Sequence, residues 1–421
     1  MTDDESNSVG DVSSATERIR ILLVASYCTR DDVGESWIAW KWAEGLSRIH
    51  DVTLVTQGRV GFAPVAETLP RTRVVEFPAF KAFDRFQSFS RILKPAYPVF
   101  YRRARRWIGD ALARGERFDV AHQVIPNALR YPTPLHGFGI PYVMGPQGGS
   151  LATPEGFKSE FGREPTFMKL RLVDGFRFRL DPWLRRTYAD ASLVLGVAPY
   201  VKDRLGTISL RDFDTESEVG IDHVEEVSRS PRRAGTGFRA LFVGRIVRSK
   251  GARDLVRAMA RVRDPHVTVD FVGEGYDLEE CKAEAARFAV CHRCRFHGRL
   301  PREQVEEFYR DADAFVFPSF RESSGIVVLE AMRWGLPMVV ATTGGPGFVV
   351  DANSGIRVEP RSPDQYATDI AAAIDRLVAD PLLCRSLGAG AQRRVAEVGL
   401  WDLKFRRMTD RYREVMRRKD R

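Results

Sequence analysis

Short apolar runs alternate with amphipathic stretches along almost the whole chain. In the first half, apolar runs at residues 19–25 and 141–144 are separated by stretches of helical spacing such as residues 36–48. The same alternation restarts at residues 240–243 and continues to residues 338–341. Apolar strands separated by amphipathic helices are typical of parallel, doubly wound sheets. The sequence therefore predicts an α/β protein with two doubly wound, Rossmann-like domains.

The length and local composition of the chain set the expected domain boundaries. Its 421 residues suit two domains of about 200 residues each. Residues 206–237 are charged and contain Ser, Pro and Gly clusters, so we predict a linker there between an N-terminal domain at 18–205 and a C-terminal domain at 238–401. Residues 1–17 are acidic and Ser-rich, without the regions of a signal peptide, and are predicted to be a disordered tail. No apolar run approaches the ~20 residues of a membrane-spanning helix, so we expect a cytoplasmic protein.

The net charge of +9 is concentrated in one segment. Residues 81–117 contain ten Lys or Arg and three Asp or Glu, together with aromatic residues such as Tyr101 and Trp107. Basic residues interleaved with aromatics suit a phosphorylated acceptor or an anionic membrane surface, which would place the protein peripherally at the inner membrane face. They would also suit nucleic acid, but no nucleic-acid fold signature accompanies them, so we expect no such partner. The alternative is a solvated helix face whose aromatics lie in the core.

The cysteines do not indicate a disulfide framework or a metal site. The chain has five cysteines, a small and odd number. Cys291 and Cys294, with His297 nearby, could suggest zinc, but no second cysteine pair accompanies them. We therefore expect no metal and no other cofactor.

A polar loop between two apolar runs carries the first candidate chemistry. Glu322 lies in this loop, and Glu330 lies eight residues later inside a helix predicted to begin near Gly325. Free amides and the helix dipole at a helix N-terminus favour a phosphate. Ionised carboxylates only accept hydrogen bonds, and sugar hydroxyls donate them. One glutamate on a ribose and one on a hexose, with a diphosphate between them, would fit a nucleotide sugar.

The loop after residues 240–243 carries the second candidate chemistry. Arg245 and Lys250 are five residues apart there, between a strand that ends at Gly244 and a helix that starts after Gly251. Ligands of such sheets bind at the carboxyl ends of the strands. Both side chains could therefore converge on a diphosphate, Arg as a planar fork and Lys as a point charge. A lone Arg or Lys would more often be a solvated charge.

These motifs, Glu-x7-Glu at 322–330 and Gly-Arg-x4-Lys-Gly at 244–251, resemble those of the retaining GT-B glycosyltransferases of family 4, also called glycosyl transferases group 1. The resemblance implies a GT-B fold, in which two Rossmann-like domains face a central crevice and the last helix, here 402–421, returns to the first domain. It also implies metal-independent transfer of a hexose from a UDP- or GDP-linked sugar to a hydroxyl of a glycan, glycolipid or natural product. The partners would be a nucleoside diphosphate sugar and a sugar-bearing or lipid-linked acceptor.

The resemblance also implies roles for individual residues. Arg245 and Lys250 would stabilise the leaving diphosphate. Glu322 would orient the donor sugar, and Glu330 would bind the ribose. His122 matches a family histidine near the reacting sugar, although a lone histidine is more often structural. The donor-binding set adds Gly34, Gly244, Gly273, Arg299, Ser324, Gly325, Ile326, Gly344 and Gly345. An acceptor-side loop would contain Gly145, Gln147, Gly148 and Gly149.

One departure from the family pattern and several alternatives accompany this interpretation. Where the family usually has two consecutive glycines after the first strand, this chain has Gly34 followed by Glu35, so only one glycine carries over. The glycine-rich segments at 145–149 and 344–347 could also be plain turns. Nucleotide-sugar 2-epimerases share the GT-B architecture, and a non-catalytic subunit could share it too. The joint presence of the basic pair and the two glutamates favours a transferase.

Overall fold

The first sheet contains seven parallel strands. The computed structural model describes residues 17–32, 34–79, 96–161, 177–226 and 237–419. The strands of the first sheet are β1 (Arg20–Ala25), β2 (Asp51–Gln57), β3 (Arg73–Phe77), β4 (Val120–Ile125), β5 (Tyr142–Gln147), β6 (Leu193–Gly196) and β7 (Phe213–Thr215). Their order is β3-β2-β1-β4-β5-β6-β7, with every neighbouring pair parallel. The order reverses between β1 and β4, and a doubly wound sheet opens a crevice at such a point.

The second sheet contains six parallel strands. They are β8 (Arg239–Val243), β9 (Thr268–Val272), β10 (Cys294–Phe296), β11 (Ala314–Phe317), β12 (Met338–Ala341) and β13 (Gly355–Val358). The order is β10-β9-β8-β11-β12-β13. It reverses between β8 and β11, so the loops after these two strands meet at the carboxyl edge of the sheet.

Helices flank both sheets. Those of the first half are α1 (Glu35–Ile49), α2 (Val65–Thr68), α3 (Tyr97–Ala113), α4 (Pro182–Ala189) and α5 (Tyr200–Arg204). Those of the second half are α6 (Ala252–Met259), α7 (Leu278–Arg287), α8 (Arg302–Asp311), α9 (Ile326–Arg333), α10 (Gly344–Val349), α11 (Pro363–Ala379), α12 (Pro381–Val398) and α13 (Trp401–Lys419). None of the helices in the described ranges is both long and apolar enough to cross a membrane.

The local sequence explains where several helices start. Ser362 accepts a hydrogen bond from the amide of Gln365, whose side chain accepts one in return from the Ser362 amide, and this capping box starts α11. Asp380 accepts hydrogen bonds from two amides at the start of α12. In both helices a proline occupies the first helical position, where the missing N–H costs nothing.

Two parallel sheets covered by helices confirm the predicted α/β fold with two doubly wound domains. The structure differs from the expected boundaries in one respect. β7 lies inside the segment 206–237 that was predicted to be the linker, so the first sheet continues past residue 205 and the connection between the sheets starts after Thr215. A strand of three residues is too short to leave a periodic pattern. Most of the predicted tail at 1–17 and the first part of the basic segment, 81–95, lie outside the described residues.

The last helix, α13, packs against the first domain. The ring of Trp401 lies 6.4 Å from that of Trp42 on α1, and Phe405 lies 5.9 Å from Trp42. Tyr412, two turns further on, reaches His122 on β4. The first domain is therefore completed by residues from the opposite end of the chain, and its core includes a cluster of aromatic rings between α1 and α13.

Candidate active site

The loop after β8 forms one side of the candidate site. A short 3₁₀ turn at Arg248–Lys250 leads from this loop into α6. Gly251, with φ of 78°, precedes the helix, and a Cβ at this position would lie 2.1 Å from the carbonyl oxygen of Pro318. Only glycine tolerates this backbone conformation together with so close an approach. The loop therefore passes directly beside the end of β11, which brings Lys250 to the loop that carries Glu322.

Lys250 and Glu322 form an ion pair in this position. Only 11% and 16% of their side chains are exposed, so the pair is largely withdrawn from solvent. The ammonium group of Lys250 also lies 5.9 Å from the ring centre of Phe317. Arg245, predicted to act on the same anion, is exposed. An anion that enters here would compete with Glu322 for Lys250.

The N-termini of two helices converge on the Glu322 loop. α9 begins directly after Gly325, whose φ is 72°, as the sequence predicted. The glycine-rich turn predicted at residues 344–347 is instead the first turn of the helix α10. The amide of Gly345 in this turn donates to the carbonyl of Glu322 at 3.1 Å. A Cβ on Gly344 would lie 2.0 Å from the same carbonyl. The space beside these two glycines is thus filled by the Glu322 loop, which they hold in place.

Glu330 lies on α9 behind this loop and is linked to α8. The hydroxyl of Tyr309 donates to its Oε2 at 3.2 Å, and the guanidinium of Arg302 lies 3.8 Å from its Oε1. Burial raises the pKa of Glu330, while Arg302 and the Tyr309 hydrogen bond act in the opposite direction. The hydroxyl of Tyr309 therefore fixes the orientation of the Glu330 side chain.

The backbones of the loops after β8, β9 and β10 contact one another. A Cβ on Gly273 would lie 1.9 Å from the carbonyl oxygen of Gly244. The amide of Gly273 donates to the carbonyl of Gly298 at 2.8 Å. Arg299, the next residue, is exposed, and its amide donates to the carboxylate of Glu274 at 3.4 Å. The structure therefore brings the predicted residues Gly244, Gly273 and Arg299 to one edge of the second sheet.

His122 is enclosed by protein on all sides. Its Nε2 lies 2.6 Å from the carbonyl of Gly145, so this nitrogen carries the proton, and Nδ1 accepts from the hydroxyl of Tyr412 at 2.6 Å. Burial lowers the pKa of His122 to about 4. With both nitrogens engaged and none of the residue exposed, His122 joins α13 to β5, and these surroundings give no support to its predicted catalytic role.

The predicted acceptor-side loop begins inside β5, which contains Gly145 and Gln147, and only Gly148 and Gly149 follow the strand. Gln147 is fully buried, and its Oε1 accepts from the hydroxyl of Tyr188 at 3.1 Å. A Cβ on Gly148 would lie 3.2 Å from the Cβ of Ser323, so this glycine faces the Glu322 loop of the second domain. Gly149 and Gly34 have open space where a Cβ would be. Gly145, with φ of 115°, packs against the end of β6.

Two family descriptions match most of the chain. The Glycosyl transferase 4-like domain matches residues 34–212. The description Glycosyl transferases group 1 matches residues 224–394, the part that contains Lys250, Glu322 and Glu330. The chain belongs to the group 1 glycosyltransferases of family 4.

Curated relatives of this group 1 glycosyltransferase match part of its sequence, and solved structures are similar to its fold over most of the chain. It is 35% identical over 189 residues to D-inositol 3-phosphate glycosyltransferase of Streptomyces bingchenggensis, covering 42% of this chain and 40% of that protein. The chain spans less than half the length of the curated relatives that it matches. The structure of sucrose-phosphate synthase from Thermosynechococcus elongatus has a TM-score of 0.63 at 20% identity and covers 94% of this chain and 99% of that chain. HepE from Anabaena, solved with UDP and glucose, has a TM-score of 0.61 at 15% identity, with 94% and 100% covered. These neighbours confirm the GT-B fold.

In this group 1 glycosyltransferase, a segment of the first half crosses to the second domain. The 3₁₀ turn Glu155–Glu160 follows β5, and Phe157 within it is fully buried, with its ring 4.6 Å from that of Phe320. The carboxylate of Glu160 accepts from Arg248 at 2.8 Å and from Arg257 on α6 at 2.7 Å. The aromatic contact of Phe157 and the two ion pairs of Glu160 therefore hold the two domains together beside the Glu322 loop.

The fold brings three residues to the site that no local sequence pattern singles out. Tyr309 lies among the charged residues of α8, and no local pattern marked it as the partner of Glu330. Glu160 is one acidic residue among many in the sequence. Glu218 stands two residues before the Gly-Ile-Asp segment at residues 220–222. This segment resembles the family's Gly-Val-Asp near the hinge, so its position is a signal that could identify Glu218.

Proposed function

We propose that this protein transfers a sugar from a UDP- or GDP-linked donor to an acceptor hydroxyl, with retention at the anomeric carbon and without a metal. The observation that carries the proposal is the meeting of Lys250, Glu322 and the N-terminus of α9 at the carboxyl edge of the second sheet, on the side that faces Gly148 of the first domain. A cation, a hydrogen-bond acceptor and unbonded backbone amides are the groups that a sugar diphosphate requires.

The proposed chemistry assigns each group one task. Negative charge develops on the leaving diphosphate, and Lys250, Arg245 and the first amides of α9 stabilise it electrostatically. As the diphosphate draws Lys250 away from Glu322, a carboxylate oxygen is released to accept from a hydroxyl of the donor sugar. Glu330, oriented by Tyr309, binds the ribose. Closure of the crevice excludes water, which limits hydrolysis of the donor.

The relatives support a transferase over the two alternatives. The curated relatives are named as glycosyltransferases or as glycogen synthase, and none of those named here is an epimerase. HepE from Anabaena was solved with UDP and with UDP-glucose, which makes UDP-sugars the first donors to try. The acceptor class that we propose is a hydroxyl of a glycan, glycolipid or natural product, since the residues of the acceptor-side loop carry no charge.

A donor screen tests the proposal. Thermal stabilisation of the full chain by UDP, GDP and their sugars identifies the donor, and the anomeric configuration of the product is then read by NMR. We expect stabilisation by one nucleotide family, a product that retains the donor configuration, and equal rates with and without EDTA. Inversion at the anomeric carbon would contradict the retaining mechanism. Loss of activity in EDTA with recovery in magnesium would contradict the metal-free one.

The basic segment suggests a second partner. On α3, Arg102 and Arg106 are exposed and four residues apart, so they share one face. Phe100 is buried, and Trp107 is half-buried with its ring 6.5 Å from that of Phe118. These aromatic residues thus pack into the core, as expected for a solvated helix face. Only the exposed arginines are available to contact a membrane surface. We propose that they draw the first domain to an anionic membrane that carries the acceptor.

Vesicle sedimentation tests this surface. Each basic residue near an anionic surface contributes about 1 kcal/mol at low salt. The double variant Arg102→Ala/Arg106→Ala should therefore bind anionic vesicles about 30-fold more weakly, a difference that high salt removes. The matched control is Arg287→Ala/Arg295→Ala, two exposed arginines of the second domain, which should bind as the wild type does. Equal binding to anionic and neutral vesicles, or binding to neither, would favour a soluble acceptor.

A further inference from the structure

Glu218 is a buried carboxylate at the meeting point of three parts of the chain. It follows β7 in the connection between the sheets, and only 5% of the residue is exposed. Nδ2 of Asn127, just after β4 in the first domain, donates to its Oε2. Oγ of Ser324, beside the N-terminus of α9 in the second domain, donates to its Oε1 at 2.7 Å. One carboxylate therefore joins the two domains across the crevice.

The backbone around Glu218 is held by the first domain. Nε1 of Trp42 on α1 donates to the carbonyl of Glu218 at 3.1 Å. Nζ of Lys404 on α13 donates to the carbonyl of Ser217 at 2.6 Å and to that of Val219. Both donors are fully buried. Since α1 and α13 pack together, this stretch of the connection moves with the first domain, and the side chain of Glu218 reaches from there to the second.

We propose that Glu218 is a positioning residue that fixes the donor loop, residues 322–325, against the first domain when the crevice closes. This inference rests on the proposed function, since that function assigns the loop to the donor diphosphate. Ser324 precedes the amides that start α9, so a fixed Ser324 orients those amides toward the phosphates. The loop would not collapse without Glu218, because the amide of Gly345 still holds the carbonyl of Glu322.

The charged groups around Glu218 oppose its ionisation. Burial raises the pKa of Glu218 to about 7, and the carboxylates of Glu35 on α1 and Glu322 act in the same direction. The hydrogen bonds from Ser324 and Asn127 act against them but do not prevail. The bridge therefore exchanges a proton near neutral pH.

Two further titratable groups face the bridge. Tyr200 on α5 has its own pKa raised by burial and by Glu218, so it stays neutral. Burial lowers the pKa of Lys404 to about 7. Lys404 lies on the first-domain side of the joint, so its hydrogen bonds to the carbonyls of Ser217 and Val219 remain when the contact between Glu218 and Ser324 opens.

The sign of the pH effect follows from the raised pKa. The carboxyl in the closed crevice holds its proton up to about pH 7, whereas a carboxyl exposed by opening would lose it near its ordinary pKa of about 4. Between these two values the closed arrangement binds more protons than the open one. Closure is therefore favoured at low pH and is progressively weakened as the pH rises toward 7.

Two substitutions distinguish the effect of the hydrogen bonds of Glu218 from the effect of its ionisation. Glu218→Gln keeps an oxygen that accepts from Asn127 and an amide that donates to Ser324, but it cannot ionise. Glu218→Ala removes the bridge. Small-angle X-ray scattering of the full chain at pH 5 and pH 8 measures opening without any ligand. We expect a larger radius of gyration at pH 8 than at pH 5 for the wild type, a small radius at both pH values for Glu218→Gln, and a large radius at both for Glu218→Ala.

Calorimetric titration with UDP and GDP measures the effect on the donor loop. We expect Glu218→Ala to weaken nucleotide binding about tenfold, the size of one lost hydrogen bond, and Glu218→Gln to restore it. Glu226→Gln, an exposed glutamate of the same connection, is the matched control and should behave as the wild type. Identical scattering of all variants at both pH values, or wild-type affinity in Glu218→Ala, would overturn the positioning role. If the wild type bound neither nucleotide, the proposed function would be wrong. The scattering data would still show whether Glu218 holds the two domains together.

Discussion

Lys250→Ala is expected to reduce glycosyl transfer by about 10²–10³-fold, the usual effect of removing one group that stabilises the charge of a transition state. The expected loss includes a second contribution, because the substitution leaves Glu322 without its cation only a short distance from where the diphosphate would bind. A negative carboxylate would then repel the donor. Release of nucleoside diphosphate, measured from low to saturating concentrations of the donor found in the screen, gives kcat for the loss of charge stabilisation and KM for the repulsion of the donor.

The fold should not change in this variant, because Lys250 belongs to a loop and its neutral replacement is smaller. Circular dichroism and the melting temperature therefore serve as the structural check. Lys282→Ala, which removes an exposed lysine paired with Glu279 on α7, is the control and should turn over at the wild-type rate. Near-normal turnover of Lys250→Ala would remove Lys250 from the catalytic set.

Asp254→Ala is expected to lower the free energy of unfolding of the second domain by about 3 kcal/mol, the lower end of the cost of breaking a buried ion pair. Asp254 and Arg248 are almost completely buried, and they are joined by two hydrogen bonds of 2.6 Å and 2.9 Å. Without the aspartate, the guanidinium retains Glu160, from the segment after β5, as its acidic partner. Hydrogen exchange of the amides in β8 and β9 measures the opening of this domain separately from the first one.

Asp364→Ala provides the comparison for this effect. Asp364 also lies in the first turn of a helix, α11, and also pairs with an arginine, Arg261, but 88% of its side chain is exposed. An exposed pair contributes less than about 1 kcal/mol, so little change is expected. If the two variants were equally stable, burial of the Arg248–Asp254 pair would have no energetic consequence, and the physical account of this cluster would be wrong.

The pattern of the sequence predicted β1, β5, β8 and β12 closely, because a buried parallel strand is a short apolar run that stands out in the sequence; it gave no prediction for β13. The failures have equally local causes. A strand of three residues is too short to show an alternation of apolar and polar positions, so the sequence places β7 in the linker. Three of the first four residues of α10 are glycines, which indicates a turn rather than a helix. Glycine is a poor helix former, and only the close approach of the carbonyls of Glu322, Ser323 and Thr342 shows why small residues are needed there.

In the candidate site, too, local sequence patterns predicted residue types but not contacts between distant residues. The spacing of Arg245 and Lys250 in one loop, and of Glu322 and Glu330 around one helix start, was enough to predict a diphosphate between two acceptors. The spacing gave no indication that Lys250 and Glu322 pair with each other, because 72 positions separate them in the chain. The loops that carry them meet only because β8 and β11 are neighbours at the point where the strand order reverses.

The sequence by itself therefore determined the two doubly wound domains, the start of α9 and the residue types of the donor loops, since each depends on periodicity or on spacing within a few turns. The tertiary structure alone decided the roles of residues whose partners are remote. His122 is enclosed by Tyr412, 290 positions away, and Glu218 bridges Asn127 and Ser324, at 91 and 106 positions. A local pattern records whether a side chain is buried or charged. Its hydrogen-bond partner is chosen by the topology that brings distant loops to the same crevice.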